Sequence, residues 1–116
     1  MDSPERGEVW LADLGLAAQV RRVLVVSIPF TDRDYALTQV IPHPTQPRGA
    51  RFEVRVNGRF LESGAFNFQG MLAVPSAKFV RRLGSLLPAQ LGEVQTVMTR
   101  WLGLGEQSLT QQVKTD

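Results

Sequence analysis

The sequence predicts a small, mainly β fold: a curved antiparallel barrel or half-barrel with one helix laid across an open end or edge. Three observations predict it. Short apolar runs separated by turn residues succeed one another through the first three-quarters of the chain, the spacing of strands rather than helices. "RFEVRV" at 51–56 alternates strictly between apolar and charged residues, the period of a half-buried strand. At Pro88 the period changes, and Leu91, Val94, Met98, Trp101 and Leu102 then recur at helical spacing.

Taken in order, "GEVWLAD" at 7–13 reads as the first strand, with Val9 and Leu11 on one face and Trp10 and Ala12 on the other. "RRVLVVSIPF" follows; its β-branched run is that of a strand buried on both faces, and Pro29 ends it. "TDRDY" is a polar turn, in which Asp32 and Asp34 read as solvated carboxylates and not as a metal site. "ALTQVI" at 36–41 is the third strand, closed by the bend Pro42-His43-Pro44. In "RFEVRV" Phe52, Val54 and Val56 are expected to face inward. Asn57-Gly58 is the strongest short hairpin signal available, with "RFLE" as the return strand. A strand from about Gly70 to Val74 and another in "KFVRRLGSL", carrying Arg81 and Arg82, complete the sheet; Gly84 marks a bulge or a close approach. The helix is expected at about 88–102, with Pro88 in its first turn, Glu93 toward its N-terminal half and Gly103 just past its end. Residues 1–105 make one domain on this reading, and 106–116, without a sustained apolar face, are expected to be a disordered tail.

The chain has 116 residues, 43% of them hydrophobic, enough for one core. It has no cysteine, which removes disulfides, zinc–thiolate sites and thiolate nucleophiles. Neither a membrane span nor a secretory signal is evident, so a soluble, intracellular protein is expected. The net charge is only +2, but residues 1–13 carry −3 and residues 106–116 carry −1, which concentrates +6 in residues 14–105. Eleven of the thirteen basic side chains are arginine, whose planar fork suits phosphate. An anionic partner is one reading of this surface; a solvated basic face is the other.

"RGEVWLADLG" at 6–15, "VRRVLVVS" at 20–27, "PHPTQPRGARFEV" at 42–54 and "RRLGSLLPAQLGEVQTVMTRWLGL" at 81–104 together resemble, in order and spacing, the MazF/PemK family of bacterial toxins, also called Kid-like toxins. The resemblance spans residues 6–104. It implies an SH3-like small β-barrel with a C-terminal helix and a cytoplasmic homodimer. It also implies a sequence-specific endoribonuclease that cuts single-stranded RNA without a metal or other cofactor, and a small acidic antitoxin as inhibitory partner. Two alternatives of different kinds stay open: a protein-binding toxin of the same fold, as the gyrase-poisoning toxins are, and a catalytically silent nucleic-acid-binding regulator.

Metal-free RNA cleavage requires the 2′-hydroxyl to be aligned with the phosphorus, charge on the phosphate to be stabilised, and two protons to move. The resemblance implies Arg21 as the guanidinium at the scissile phosphate and Thr45 as the hydroxyl that positions the substrate. The family has proline where this chain has Arg22, so either arginine of the pair is a candidate for that contact. His43, the only histidine, lies two residues from Thr45 and has a side chain suited to proton transfer; a turn-locking structural role is the equal alternative. Arg48, Arg51, Arg55 and Arg59 form a basic run around the expected hairpin, a candidate phosphate track or else the wet face of a two-sided strand, and Arg22 is a candidate for a further phosphate contact. Phe66 and Gln69 in "GAFNFQG" are candidates for stacking on and reading bases, with core packing the alternative for Phe66.

Overall fold

A computed structural model describes residues 3–15, 20–61 and 63–105; the tail expected at 106–116 lies outside them. Strands β1 (Glu8–Asp13), β2 (Val20–Val25), β3 (Leu37–Pro42), β6 (Leu72–Pro75) and β7 (Phe79–Ser85) form one antiparallel sheet in the order β6-β3-β2-β1-β7. A second, two-stranded ladder joins β4 (Glu53–Val54) to β5 (Phe66–Asn67), and helix α1 (Pro88–Leu102) follows β7. The large sheet is open among the described residues: β6 and β7 are its edges and no ladder pairs them, which is the half-barrel form of the expectation and not the closed SH3-like barrel that the resemblance implies.

Alternation along the strands divides the core in two. Trp10, Ala12, Val23, Val25, Val40, Val74 and Phe79 make one buried cluster to which all five strands of the large sheet contribute. The sheet therefore curls around these residues, and we call this its inner face. Val9, Leu24, Val26 and Ile41 point the other way, onto Phe52, Val56, Leu61, Phe66 and Phe68 from the intervening layer and Val94 from α1. This is the outer face. The unbroken apolar run of β2 is explained by burial on both sides.

The helix begins as its sequence predicts. Gln90 Oε1 accepts the Leu87 backbone N–H at 2.8 Å, satisfying one donor at the entry to the helix, while Gln90 Nε2 donates to the Asn57 carbonyl at 2.9 Å and ties α1 to the middle layer. Gly103 ends it at φ 71°, ψ 27°, the left-handed conformation for which glycine carries no Cβ penalty.

The expected hairpin at Asn57-Gly58 is absent. Neither residue adopts positive φ, and the chain instead enters a 3-10 turn at Arg59–Leu61, where "RFLE" was expected to return as a strand; Glu62 lies outside the described residues. Phe52, Val56 and Leu61 are all buried in the outer cluster, and that burial decides the path over the local turn signal. β4 pairs with Phe66–Asn67 in place of the expected return strand. Gly84 fulfils its expectation: β7 is irregular against β1 there, and a Cβ on Gly84 would lie 2.6 Å from Phe60 Cε1.

Candidate functional site

β2 and β3 pair through Val23↔Pro42, Leu24↔Ile41 and Val25↔Val40, and the ladder ends where the His43 N–H donates to the Arg22 carbonyl at 2.9 Å. The Pro42-His43-Pro44 bend thus springs from the sheet beside Arg22. His43 is 1% exposed and its ring stands edge-on to Phe66 at 4.8 Å between centroids. Its Nδ1 and Nε2, and the buried Nε of Arg22, have no hydrogen-bond partner among the described residues. Burial first, and the neighbouring Arg22 charge second, hold the imidazole below its ordinary pKa of 6.5. His43 is therefore neutral near pH 7.

Below the imidazole, Gly64 completes the pocket. A Cβ there would sit 2.5 Å from His43 Cε1 and 2.5 Å from the Pro44 carbonyl oxygen, so only glycine fits. Ser63, in the left-handed region at φ 61°, turns the chain into this position, and the Ala65 N–H donates to the Pro44 carbonyl at 3.3 Å. The bend is clamped between Arg22 and residues 63–66, and it presents Thr45 exposed at its tip.

The two adjacent arginines of β2 part company. Arg21 is in register with Ala12, a member of the inner cluster, and Arg22 with Leu11. Residues paired across strands share a face, so Arg22 lies on the outer face, the one that carries His43, and Arg21 is exposed on the inner side at the strand's start. The register unites Arg22 and His43 and separates both from Arg21.

The remaining candidates divide as follows. Arg48, Arg51 and Arg55 are exposed. The Glu53 carboxylate accepts the backbone N–H groups of Arg48 and Ala50, at 3.0 and 2.7 Å, and these bonds lower its pKa and brace the arginine-bearing loop. The Arg51 guanidinium carbon stands 4.4 Å from the centroid of the Phe52 ring. Arg55 lines a small cavity of about 160 Å³ with Asn57, Ser63 and Gly64. Gln69 is exposed in the 3-10 turn Phe68–Gly70, whose start is capped by Asn67 Oδ1 accepting the Gln69 N–H at 3.2 Å. Phe66 corrects its expectation: at 0% exposure it is a core residue and cannot stack on a base. His43 is likewise out of a substrate's reach in this conformation, and its contacts are those of the structural alternative. Asp34 Oδ2 accepts the N–H and hydroxyl of Thr31, at 2.9 and 3.1 Å, closing the polar turn as expected. Sequence reasoning missed Gly64; the signal available was the Ser63-Gly64 dipeptide directly before the apolar Ala65-Phe66.

A family model described as PemK-like, MazF-like toxin of type II toxin–antitoxin system matches residues 5–102. Solved structures agree in fold. An endoribonuclease in complex with its cognate antitoxin, from Mycobacterial species, superposes with a TM-score of 0.76 at 24% identity, over 90% of this chain and 99% of that one. MazF from Deinococcus radiodurans gives a TM-score of 0.74 at 23% identity, over 90% of this chain and 100% of that one. The MazE–MazF complex of the same organism gives 0.73 at 22% identity, over 90% and 100%. With almost the whole described chain inside the family match, the protein belongs to the PemK-like, MazF-like toxins of type II toxin–antitoxin systems.

Proposed function

We propose that this toxin is an endoribonuclease that cleaves single-stranded RNA at selected sequences without a metal, acts as a homodimer in the bacterial cytoplasm, and is held inactive by a small acidic antitoxin. Family membership supports the reaction class. The observation that carries the site is the half-buried Arg22, its Nε without a partner among the described residues, beside the clamped bend that presents Thr45.

In this reading the Arg22 guanidinium donates to non-bridging oxygens of the scissile phosphate and stabilises the charge that grows there as the 2′-oxygen attacks phosphorus. The Thr45 hydroxyl orients the 2′-hydroxyl or the phosphate. The bond to the 5′-oxygen breaks, the 2′-hydroxyl loses its proton and the departing 5′-oxygen gains one, leaving a 2′,3′-cyclic phosphate and a 5′-hydroxyl. His43 acts through the bend, holding Thr45 in place as a neutral buried group. Arg21, exposed on the inner face, lies away from this contact, and Arg48, Arg51 and Arg55 draw in the strand. The prolines at 42 and 44 reduce the conformational freedom lost on ordering the bend.

Incubation of a defined RNA with purified protein in the presence of chelator, with mapping of cut sites and end groups, tests this. Discrete cuts ending in cyclic phosphate are expected, and they are lost in Thr45→Ala with the fold intact. Uncut RNA under these conditions, or cleavage only on addition of magnesium, overturns the proposal; intact RNA together with inhibited gyrase points to the protein-binding alternative.

A further inference from the structure

Three consecutive strands place Arg22, Leu11 and Arg81 side by side. β1 sits between β2 and β7, with Leu11 paired to Arg22 on one flank and to Arg81 on the other. All three therefore share the outer face. Two strand spacings separate the arginine backbones by about 10 Å. Leu11 between them is only half-buried, beyond the point where the middle layer covers Val9 and Leu24, and Arg81 is exposed. The row sets one half-buried leucine between two arginines.

The next residue of β7 behaves differently. Arg82 is in register with Trp10, on the inner face, and its Nη1 bonds Glu8 Oε2 at 3.3 Å. No described carboxylate pairs with Arg81. Asp13 shares the outer face with Leu11, one row further along β1, where its Oδ1 accepts the Gly15 N–H at 2.9 Å. That carboxylate repels phosphate and bounds the row on one side.

We propose that Arg22, Leu11 and Arg81 form a one-nucleotide subsite for single-stranded RNA: the base rests on Leu11, and the phosphates on its two sides are held by Arg22 and Arg81. This rests on the ribonuclease reading, in which Arg22 holds the scissile phosphate, and extends it by one nucleotide across the sheet. An aliphatic platform selects by shape and apolar contact, so the subsite contributes affinity with little base preference of its own.

The test uses a labelled, mixed-sequence 2′-O-methyl oligoribonucleotide, which keeps the sugar-phosphate chain but lacks the nucleophile, titrated with full-length protein over a range of salt. Arg81→Ala is expected to weaken binding about tenfold, the loss of one charged contact. It should lower the slope of log affinity against log salt by about 0.7. Leu11→Ala should weaken binding with the slope unchanged. Arg82→Ala, on the other face, should match wild type in both. Equal affinity and slope for Arg81→Ala and wild type, an Arg82→Ala loss as large as that of Arg81→Ala, or no binding by wild type would each overturn the subsite. Cleavage of unmodified RNA by wild type, run in parallel, separates the two ideas. Cutting with no Arg81 effect sinks the subsite alone, and an Arg81 effect without cutting sinks the nuclease alone.

Discussion

The order of two neighbouring arginines decides which of them meets the His43 bend. Arg21 follows the inner register and Arg22 the outer, so a guanidinium half-buried beside the His43 bend is available only from Arg22. Arg22→Ala is expected to lower kcat by about 10²–10³, the loss typical of a group that stabilises transition-state charge. Arg21→Ala should cost less than about tenfold, and single-turnover cleavage of a defined RNA measures both; a larger loss in Arg21→Ala would reverse the assignment. His43 makes a second prediction. Its folded pKa is depressed by burial and by Arg22, so the unfolded chain takes up the proton more readily. Stability is then fully present above pH 6.5 and falls as the pH drops below it. Because this is the only histidine, the fall in Tm between pH 7.5 and 5.5 should flatten in His43→Leu, which replaces an unpartnered buried ring with an apolar group. An equal fall in the variant would show that another group is responsible.

At the scale of elements, the bend after β3 depends on Gly64, six residues beyond the Asn57-Gly58 turn that the sequence misplaces. Gly64→Ala forces a methyl against His43 and against the Pro44 carbonyl, which is backbone and cannot swing aside. The variant should lose about 1–3 kcal/mol in urea unfolding, and cleavage should fall further than that loss explains because Thr45 rides on the same bend. A variant as stable and active as wild type would refute the clamp. Legibility follows the same physics. β1 and β3 could be read because buried and more exposed residues alternate along most of their length, β2 because its run Val23–Val25 is buried on both faces, and α1 because Leu91, Val94, Met98 and Trp101 keep helical spacing against the outer cluster; β7, which buries only Phe79, was legible from its apolar ends around the arginine pair. The segment from Arg51 to Gly70 could not, because its strands are two residues long and its path is set by where Phe52, Val56, Leu61, Phe66 and Phe68 meet the sheet. Asn57-Gly58 is a strong local preference defeated by those distant contacts. The same limit separates Thr45, placed by motif and found exposed at the bend, from Phe66, whose aromatic ring suits a base as well as a core until burial is known.

Across the whole molecule, the large sheet is the common wall of two cores. Val9, Leu24 and Ile41 face one cluster while Trp10, Val23 and Val40, their immediate chain neighbours, face the other. Neither cluster can lose its wall without exposing the other, so the middle layer with α1 and the curled sheet should unfold together. Each cluster holds one of the chain's two tryptophans. Trp10 packs edge-on to Phe79 at 5.6 Å in the inner cluster, and Trp101 lies against Phe52 at 5.1 Å beneath α1. Trp10→Phe and Trp101→Phe therefore leave single fluorescent reporters of opposite faces. In each variant, the fluorescence transition in urea should coincide with the transition seen by far-ultraviolet circular dichroism. Substitution shifts each midpoint by its own packing cost, so agreement between probes within one variant is the criterion. If Trp101 fluorescence changes at lower urea than the sheet signal, the helix and middle layer detach first and the wall is not shared. Coincidence would mean that the bend carrying Thr45, clamped between sheet and middle layer, is held with the stability of the whole fold.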